Sequence, residues 1–241
     1  MDRDGDRDGN DIMSSMLRKT KKGFYVLEKL SRIHGLVHGF STVEFGNMSF
    51  VHGKKSKVLE NRVRFAQAVG IDPKRLVSVN QKHGKDILIV NSGALINQSE
   101  KIIADGLMTN KKNIVLLIKT ADCLPILFFD PKKEIIGLVH AGRKGVSFGV
   151  HIKAIIKMKE DFGCYPKEIL IGIGPAICDC CYDGIDLAGS VVSDFLKKGI
   201  KKENIEESNI CTFENRDFYS HRRSKFKSEP EGRLAAIFSL K

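Results

Sequence analysis

The chain has 241 residues, and its hydrophobic fraction of 42% is enough to build a folded core, which excludes wholesale disorder. The formal net charge is +11 at pH 7, but the basic residues lie in short scattered clusters without the interleaved aromatic side chains of a nucleic-acid-binding surface. No apolar run approaches the roughly 20 residues that a membrane span needs. We therefore expect one domain that binds neither nucleic acid nor membrane, with a basic surface that attracts phosphorylated small molecules.

The N-terminal segment is acidic and glycine-rich and lacks the apolar core of a secretory signal. We predict a disordered leader over residues 1–22 and a folded domain over residues 23–241, located in the cytoplasm. The six cysteines are unevenly placed, which argues against a disulfide scaffold. In a cytosolic chain such cysteines remain thiols, are buried, or bind metal.

Short apolar runs dominate the first half of the predicted domain. Strands are predicted within Gly23–Leu30, Val37–Thr42, Leu76–Val79, Ile87–Val90 and Gly106–Thr109. Apolar residues recur with helical spacing from Leu59 to Val69, and Gly70 ends this helix. His83 falls between two of the predicted strands, so we expect it on a connection.

The centre of the chain has the clearest strand pattern. Three apolar runs too short for helices cover Ile114–Ile118, Pro125–Phe129 and Ile135–Val139. Cys123 therefore lies just before one strand and His140 just after another. Helical spacing follows from Val146 and ends at Gly163.

The C-terminal part contributes a predicted strand over Glu168–Ile173, a helix over Leu187–Leu196 and a closing strand over Leu234–Leu240. Strands outnumber helices and their order is mixed. We therefore predict an α+β fold with mixed β-sheets and helices packed outside them.

Two histidines and a cysteine lie at the edges of these apolar runs. They are His83 in Gln81-Lys82-His83-Gly84, Cys123 in Thr120-Ala121-Asp122-Cys123-Leu124-Pro125, and His140 in Val139-His140-Ala141-Gly142. Zinc prefers imidazole and thiolate ligands, and three protein ligands with water in the fourth position form a catalytic site. Zinc also lowers the pKa of a bound water to about 7. Copper is the alternative metal, because it accepts the same ligand set.

Several other polar residues suggest roles beside this site. Asp105 or Asp122 could orient a ligand histidine, with a turn or cap role as the alternative. Gly142-Arg143-Lys144-Gly145 follows a strand and opens a helix, which suits an anion, although a packed turn would have the same pattern. Arg222 and Arg223 form a second cationic patch, suited to phosphate or to surface salt bridges.

One further pattern involves cysteines alone. Cys178 and Cys181 form half of a ribbon-type zinc motif, but no second Cys-x-x-Cys exists in the sequence. A loop beside the active site is the favoured interpretation, and a structural zinc is the lesser one.

From about His38 to its C-terminus, the chain resembles the laccase-domain (YfiH-type) family. The matching motifs, in order, are His38-Gly39-Phe40-Ser41-Thr42, Glu60-Asn61-Arg62, Gln81 to Gly84, Ala104-Asp105-Gly106 with Thr109, Thr120 to Pro125, His140 to Gly145, Ile173 to Ile177, and Cys211-Thr212 with Phe218 to Arg223. One such motif would be weak evidence, whereas eight in order across about 200 residues are a specific match.

The resemblance implies a fold, a cofactor and an activity. The fold would be layered β-sheets flanked by helices, with residues 23–241 as the laccase-like catalytic domain. Zinc would be bound by the catalytic residues His83, Cys123 and His140. The partners would be a nucleoside and phosphate, because members of this family, often labelled polyphenol oxidases, are now regarded as purine nucleoside phosphorylases. They cleave adenosine, inosine, guanosine or methylthioadenosine and also deaminate adenosine. The residues expected to bind substrate or phosphate are His38, Ser41, Arg143, Lys144, Arg222 and Arg223.

The chain departs from the family pattern at three positions. It has Val43 where the family usually has arginine, Arg143 in place of a tryptophan, and Lys144 in place of an arginine. These departures concern substrate and phosphate recognition and leave the metal ligands intact. Alternative functions are a hydrolase that edits peptidoglycan precursors, a copper-dependent polyphenol oxidoreductase, and a non-catalytic basic metal-binding protein.

Overall fold

The computed structural model describes residues 17–92 and 99–241. Its strands are β1 (Leu17–Lys19), β2 (Tyr25–Leu27), β3 (Leu36–Phe40), β4 (Leu76–Ser78), β5 (Ile87–Ile89), β6 (Gly106–Thr109), β7 (Val115–Thr120), β8 (Leu124–Asp130), β9 (Ile135–Ala141), β10 (Leu170–Ile173), β11 (Ile205–Glu207) and β12 (Leu234–Leu240). Its α-helices are α1 (Glu28–Ser31), α2 (Lys55–Val69), α3 (Arg143–Ser147), α4 (Val150–Phe162), α5 (Leu187–Lys197) and α6 (His221–Lys227). Among these residues, none of the helices has the length and apolar character to span a membrane.

The strands form two six-stranded sheets, with orders β1-β2-β3-β12-β7-β4 and β11-β10-β8-β9-β6-β5. The first sheet is antiparallel except for the β4–β7 pair, which is parallel. The second is antiparallel in its centre and parallel at both edges, in the β10–β11 and β5–β6 pairs. The prediction of an α+β fold with mixed sheets flanked by helices is confirmed.

The two sheets pack face to face, and each is covered by helix on its outer side. Leu116 of β7 and Phe238 of β12 point into the cluster between the sheets. The neighbouring residue Leu117 points to the opposite face, where it packs with Phe65 of α2. On the far side, α4 and α5 cover the second sheet, with Phe195 among the buried residues. Because both faces of the central strands are buried, these strands appear in the sequence as continuous apolar runs.

Two connections cross from the first sheet to the second at the same end of the sandwich. β4 and β7 are parallel neighbours, so the C-terminal ends of both strands lie at the same end of the first sheet. The chain then enters the second sheet at β5 and β8, respectively. His83 lies on the first of these crossings and Cys123 on the second.

Three predicted boundaries are wrong. The leader ends earlier than residue 22, because Leu17–Lys19 pairs with Tyr25–Leu27 as an edge hairpin; residues 1–16 lie outside the described part of the chain. The strand predicted within Gly23–Leu30 is shorter, since α1 begins at Glu28. The single helix predicted from Val146 to Gly163 is divided into α3 and α4 by Gly149, which has a φ of 72°.

The packing between the sheets makes Phe238→Ala a test of this architecture. Phe238 is fully buried, so we expect its truncation to lower the free energy of unfolding by about 3–5 kcal/mol. Phe148→Ala is the matched control, because Phe148 is 57% exposed and its loss should change stability by less than about 0.5 kcal/mol. Urea denaturation measures both; equal effects would contradict the layered core.

Candidate metal centre

The predicted ligands His83, Cys123 and His140 come together. Their side-chain donor atoms all lie within 4.8 Å of one another. The two imidazole rings meet edge to face, with centroids 4.8 Å apart. Cys123 and His140 are brought together by the β8–β9 ladder, in which Pro125 pairs with His140.

Asp105 organises both histidines from behind. Its carboxylate accepts hydrogen bonds from the backbone N–H groups of His83 at 2.9 Å, Gly84 at 2.6 Å and Lys82 at 3.2 Å. It also lies 2.9 Å from Nδ1 of His140. This contact holds the proton on Nδ1 of His140 and leaves Nε2 available to a metal. The prediction that a carboxylate orients a ligand histidine is therefore supported for Asp105.

Asp122 has a different role. Its Oδ1 accepts a hydrogen bond from Thr212 Oγ1 at 2.7 Å, and its Oδ2 accepts one from the backbone N–H of Arg222 at 2.7 Å. The residue adopts a left-handed conformation with a φ of 83°, which turns the chain immediately before Cys123. Asp122 thus links the cysteine loop to α6 and contacts neither ligand histidine.

Cys123 and His140 polarise each other as a thiolate and a charged imidazole. Burial raises the pKa of the Cys123 thiol, but the charge of His140 and hydrogen bonds from both histidines outweigh burial and lower that pKa to about 6. Burial likewise disfavours a charged His140, but the Cys123 thiolate and Asp105 outweigh it and raise the His140 pKa to about 9. A thiolate, the form that binds a metal, is therefore present near neutral pH, and a metal would take the place of the proton on Nε2 of His140.

Gly142 keeps the space beside these donors open. A Cβ atom at this position would lie 2.7 Å from Cys123 Sγ and 2.9 Å from Cδ2 of His83. Any side chain here would displace the two ligands. Two imidazoles, one thiolate and a carboxylate behind a histidine make up the ligand set and outer support of a three-ligand catalytic metal site, so the residues fit such an ion.

The three ligands open onto a cavity of about 930 Å³. This volume lies within the range of small-molecule sites. Seven cationic side chains line it, namely Lys82, Lys119, Arg143, Lys144, Arg222, Lys225 and Arg233. Three aromatic side chains also line it, namely Phe50, Tyr182 and Phe226. The cavity therefore offers positive charge for an anion and flat apolar surface for a ring.

The cations of the cavity differ in how far they are already paired. Lys119 donates to Glu100 at 3.1 Å, and burial lowers its pKa to about 8. Arg222 makes a bidentate pair with Asp183 and lies over the rings of Tyr182 and Phe226.

By contrast, Arg143 and Lys144 have no ion-pair partner in the part of the chain that the structure describes. They remain available to an anionic ligand, and they immediately follow Gly142 beside the metal ligands.

Three of the residues predicted to bind substrate or phosphate lie elsewhere. His38 is buried between the sheets, where its Nε2 accepts the backbone N–H of Leu27 at 2.9 Å. Ser41 is also buried, and its Oγ accepts the backbone N–H of Ala235. Neither residue lines the cavity, so their expected contact with substrate is corrected to a structural role.

Arg223 is corrected in the same way. Its guanidinium is buried and donates to the carbonyl oxygens of Thr212, Phe213 and Phe218 and to the carboxylate of Glu229. Four of its five N–H donors are used in holding the C-terminal segment. Its neighbour Arg222 points into the cavity, because successive residues on a helix face different directions.

Sequence reasoning missed several residues of the cavity wall, among them Phe50, Glu100, Lys119, Tyr182, Lys225 and Phe226. The largely buried Lys119 and the half-buried Glu100 form a pair on its wall, and the Phe50 ring lies against the Arg62 guanidinium. The available signal for Lys119 was its position as a lone charge at the end of an apolar strand. Glu100 and Phe50 lie in 3-10 turns without a motif that would distinguish them.

Comparisons with known proteins show the family and the fold of the chain. The family model described as multi-copper polyphenol oxidoreductase laccase matches residues 32–184 and 183–241. The purine nucleoside phosphorylase ORF3 of Streptomyces griseus is 29% identical over 230 residues, covering 84% of this chain and 90% of that protein. The crystal structure of YlmD from Geobacillus stearothermophilus superposes with a TM-score of 0.86 at 25% identity, covering 94% of this chain and 99% of that one. The Bacillus licheniformis hypothetical protein YfiH gives a TM-score of 0.82 at 25% identity, covering 93% and 99%.

The role of Asp105 predicts an effect on metal affinity. Asp105→Asn removes the charge that holds the proton on His140 Nδ1, so we expect zinc affinity to fall by about 10- to 100-fold. Competition with a chromophoric chelator measures it. Asp86→Asn is the control, because the Asp86 side chain is 72% exposed and pairs with Lys153 on the surface. Unchanged affinity in Asp105→Asn would contradict the assignment.

The structural role of His38 predicts a pH dependence of stability. Burial lowers its pKa to about 4 in the folded protein, below the value of about 6.5 in an unfolded chain. The folded state therefore binds fewer protons than the unfolded chain in this pH range. As a result, the free energy of unfolding falls by about 3 kcal/mol as the pH drops from 6.5 towards 4. His38→Gln keeps an acceptor for Leu27 but does not titrate, so it should lack this loss. Denaturation at several pH values measures this loss, and His34→Gln is the control because His34 is exposed. If the free energy of unfolding changes equally with pH in wild type and in His38→Gln, the role of His38 is refuted.

Proposed function

The chain belongs to the multi-copper polyphenol oxidoreductase laccase family, and we propose that it is a purine nucleoside phosphorylase whose catalytic metal is zinc. The observation that carries the proposal is the convergence of His83, Cys123 and His140 on a cavity with free cations and aromatic walls. Relatives named purine nucleoside phosphorylase support the reaction class. The proposed substrates are adenosine, inosine, guanosine and methylthioadenosine, with deamination of adenosine as a second activity.

The donor side chains present among the described residues favour zinc over copper. A multicopper centre requires several further histidines close to the first copper site. His52 and His221 line the same cavity, but both lie beside Glu231. His38 is committed to Leu27 and His151 to Asp194, and none of these four histidines lies in a metal-competent group among the described residues. A mononuclear site with two imidazoles, one thiolate and an open position is a typical catalytic zinc site.

Arg143 and Lys144 are the proposed phosphate-binding residues, with Arg222 as a third cation. The first two have no ion-pair partner in the described residues and lie next to Gly142, so a phosphate bound there would be close to the metal. Arg222 can contribute its remaining N–H donors to phosphate while Asp183 holds one edge of its guanidinium. Lys144 replaces the usual arginine and keeps its positive charge, and Arg143 adds a positive charge where the family usually has tryptophan.

Tyr182 and Phe226 are the proposed binding surface for the purine. Both rings line the cavity and both contact Arg222, which fixes one side of the pocket. A flat base gains about 1–3 kcal/mol by stacking on an aromatic side chain. The ribose would then lie between the stacked base and the phosphate.

In the proposed reaction, a phosphate oxygen attacks C1′ of the nucleoside. The C1′–N9 bond breaks, and the purine leaves with the bonding electron pair and takes up a proton, yielding ribose 1-phosphate and free base. Zinc, when bound, would supply Lewis acidity that stabilises negative charge developing on a substrate atom. The protein's own contribution is to align the phosphate with C1′ through Arg143 and Lys144 and to hold the base on the aromatic wall.

We also propose that the protein acts in the cytoplasm. All six of its cysteines are free thiols in the structure, including pairs close enough to interact. Free thiols in this number are typical of a reducing compartment.

Incubation with adenosine or inosine, with and without phosphate, tests the proposal. We expect ribose 1-phosphate and free purine only when phosphate is present, detected by mass spectrometry. Cys123→Ala should reduce turnover at least about 100-fold, because a metal ligand is lost. Inosine from adenosine without ribose 1-phosphate would indicate a deaminase alone, and no product from any nucleoside would overturn the proposal.

Arg143→Ala tests the phosphate site separately. Loss of a charge-assisted contact of about 1.5–3 kcal/mol should raise the KM for phosphate by roughly 10- to 100-fold. Lys153→Ala is the matched control, because Lys153 pairs with Asp86 away from the cavity and its removal should leave that KM unchanged. An unchanged KM in Arg143→Ala would exclude this residue from phosphate binding.

A further inference from the structure

We propose a second metal site, a structural zinc bound by Cys178, Cys180, Cys181 and Glu214. The donor atoms of these four side chains all lie within 4.8 Å of one another. The site is separate from the ligands of the catalytic centre, and the inference does not depend on the proposed phosphorylase activity.

The local backbone explains why three cysteines meet. Asp179–Cys181 is a 3-10 turn, closed by a hydrogen bond from the Cys181 N–H to the Cys178 carbonyl at 3.2 Å. A 3-10 turn has three residues per turn, so side chains at positions i and i+3 lie above one another. Cys178 and Cys181 therefore share one side of the turn, and Cys180 reaches the same point from the adjacent position.

The observed distances suit tetrahedral zinc. Two sulfur atoms bound to one zinc at about 2.3 Å in tetrahedral geometry are about 3.8 Å apart. The Sγ atoms of Cys180 and Cys181 are 3.8 Å apart. Oε1 of Glu214 lies 3.8 Å from Cys181 Sγ, so a shift of a few tenths of an ångström would let its carboxylate close the coordination sphere.

Glu214 is brought to the cysteines by a well-defined backbone contact. Ala176 and Cys211 form a bridge, and the Thr212 N–H donates to the Ala176 carbonyl at 2.9 Å. Residues 211–214 are thereby held beside the turn that carries the cysteines. The sequence motif Cys178-x-x-Cys181 supplies half of a zinc site, and the fold adds Cys180 and Glu214 to it.

Cys211 lies next to this group without belonging to it. Its Sγ accepts the Cys178 N–H at 3.3 Å and lies 3.1 Å from Cys178 Sγ. As a thiol, Cys211 can donate a hydrogen bond to the ligand thiolate of Cys178, the kind of outer contact that supports metal ligands. A disulfide between Cys178 and Cys211 is the competing use of these sulfur atoms, since it would remove one ligand.

The site would stabilise one wall of the catalytic cavity. Ile177 and Tyr182, which flank the cysteine turn, both line that cavity. Thr212, within the second segment, donates to Asp122 beside Cys123. Four protein ligands leave no position for substrate, which is the arrangement of a structural zinc.

Metal analysis of the purified, reduced full-length chain tests the proposal. We expect about two zinc ions per chain in wild type and about one in the double variant Cys180→Ser/Cys181→Ser. Cys164→Ala is the matched control, because Cys164 is a buried thiol outside both groups and should keep wild-type zinc content. Two outcomes would overturn the second site. One is an unchanged zinc content in the double variant. The other is a wild-type chain that holds only one zinc ion and loses it in Cys123→Ala.

Cobalt substitution gives a readout that does not depend on activity. The Cys123→Ala variant lacks a ligand of the catalytic centre but should still bind cobalt at the second site, with an intense thiolate-to-cobalt charge-transfer band. Adding Glu214→Gln to this variant should weaken the cobalt binding. Absence of the band after full reduction of the thiols would refute the site even if the double variant fails to fold. Loss of phosphorolysis with two zinc ions still bound would count against the proposed function alone.

Discussion

One buried carboxylate, Asp105, holds together the two segments that carry the histidines of the proposed metal centre. It accepts three successive backbone N–H groups of the His83 loop and contacts Nδ1 of His140. Burial raises the pKa of Asp105, but hydrogen bonds from His140 and Gly84 outweigh this effect and keep its pKa below the usual range. A single ionised group thus fixes both the position of one proposed ligand and the protonation of another, so the proposed metal centre depends on it.

The sheet topology supplies the other constraint. The parallel strands β4 and β7 end at the same end of the first sheet, and the segment after each of them crosses there to the second sheet. Residues distant in sequence, His83 and Cys123, are delivered to the same end of the sandwich, where the β8–β9 ladder adds His140. The same crossings leave the cavity open between the sheet ends and α6. Rigid strands therefore position the ligands, while turns and α6 supply the charged and aromatic wall.

The sequence was most informative where one local pattern decides the structure. Doubly buried strands such as β7 to β9 are visible as apolar runs, and the three proposed metal ligands are visible as donors at the edges of these runs. His38, Ser41 and Arg223 were misassigned because a motif match gives residue types but not the direction of a side chain. The role of Asp105 could be foreseen only as one of two carboxylates, since its choice over Asp122 depends on contacts between distant segments. Glu214 joins the cysteine turn through the Ala176–Cys211 bridge, which no local pattern predicts.

The central claim is that His83, Cys123 and His140 together bind one zinc, with Asp105 reserving Nε2 of His140 for the metal. Anomalous diffraction from a crystal of the zinc-loaded protein, recorded at the zinc absorption edge, tests this most directly. The account predicts a peak bonded to Cys123 Sγ at about 2.3 Å and to nitrogens of both histidines at about 2.0–2.1 Å, through Nε2 in the case of His140. No peak between these three residues in the zinc-loaded crystal, or coordination through Nδ1 of His140 with Asp105 displaced, would contradict it.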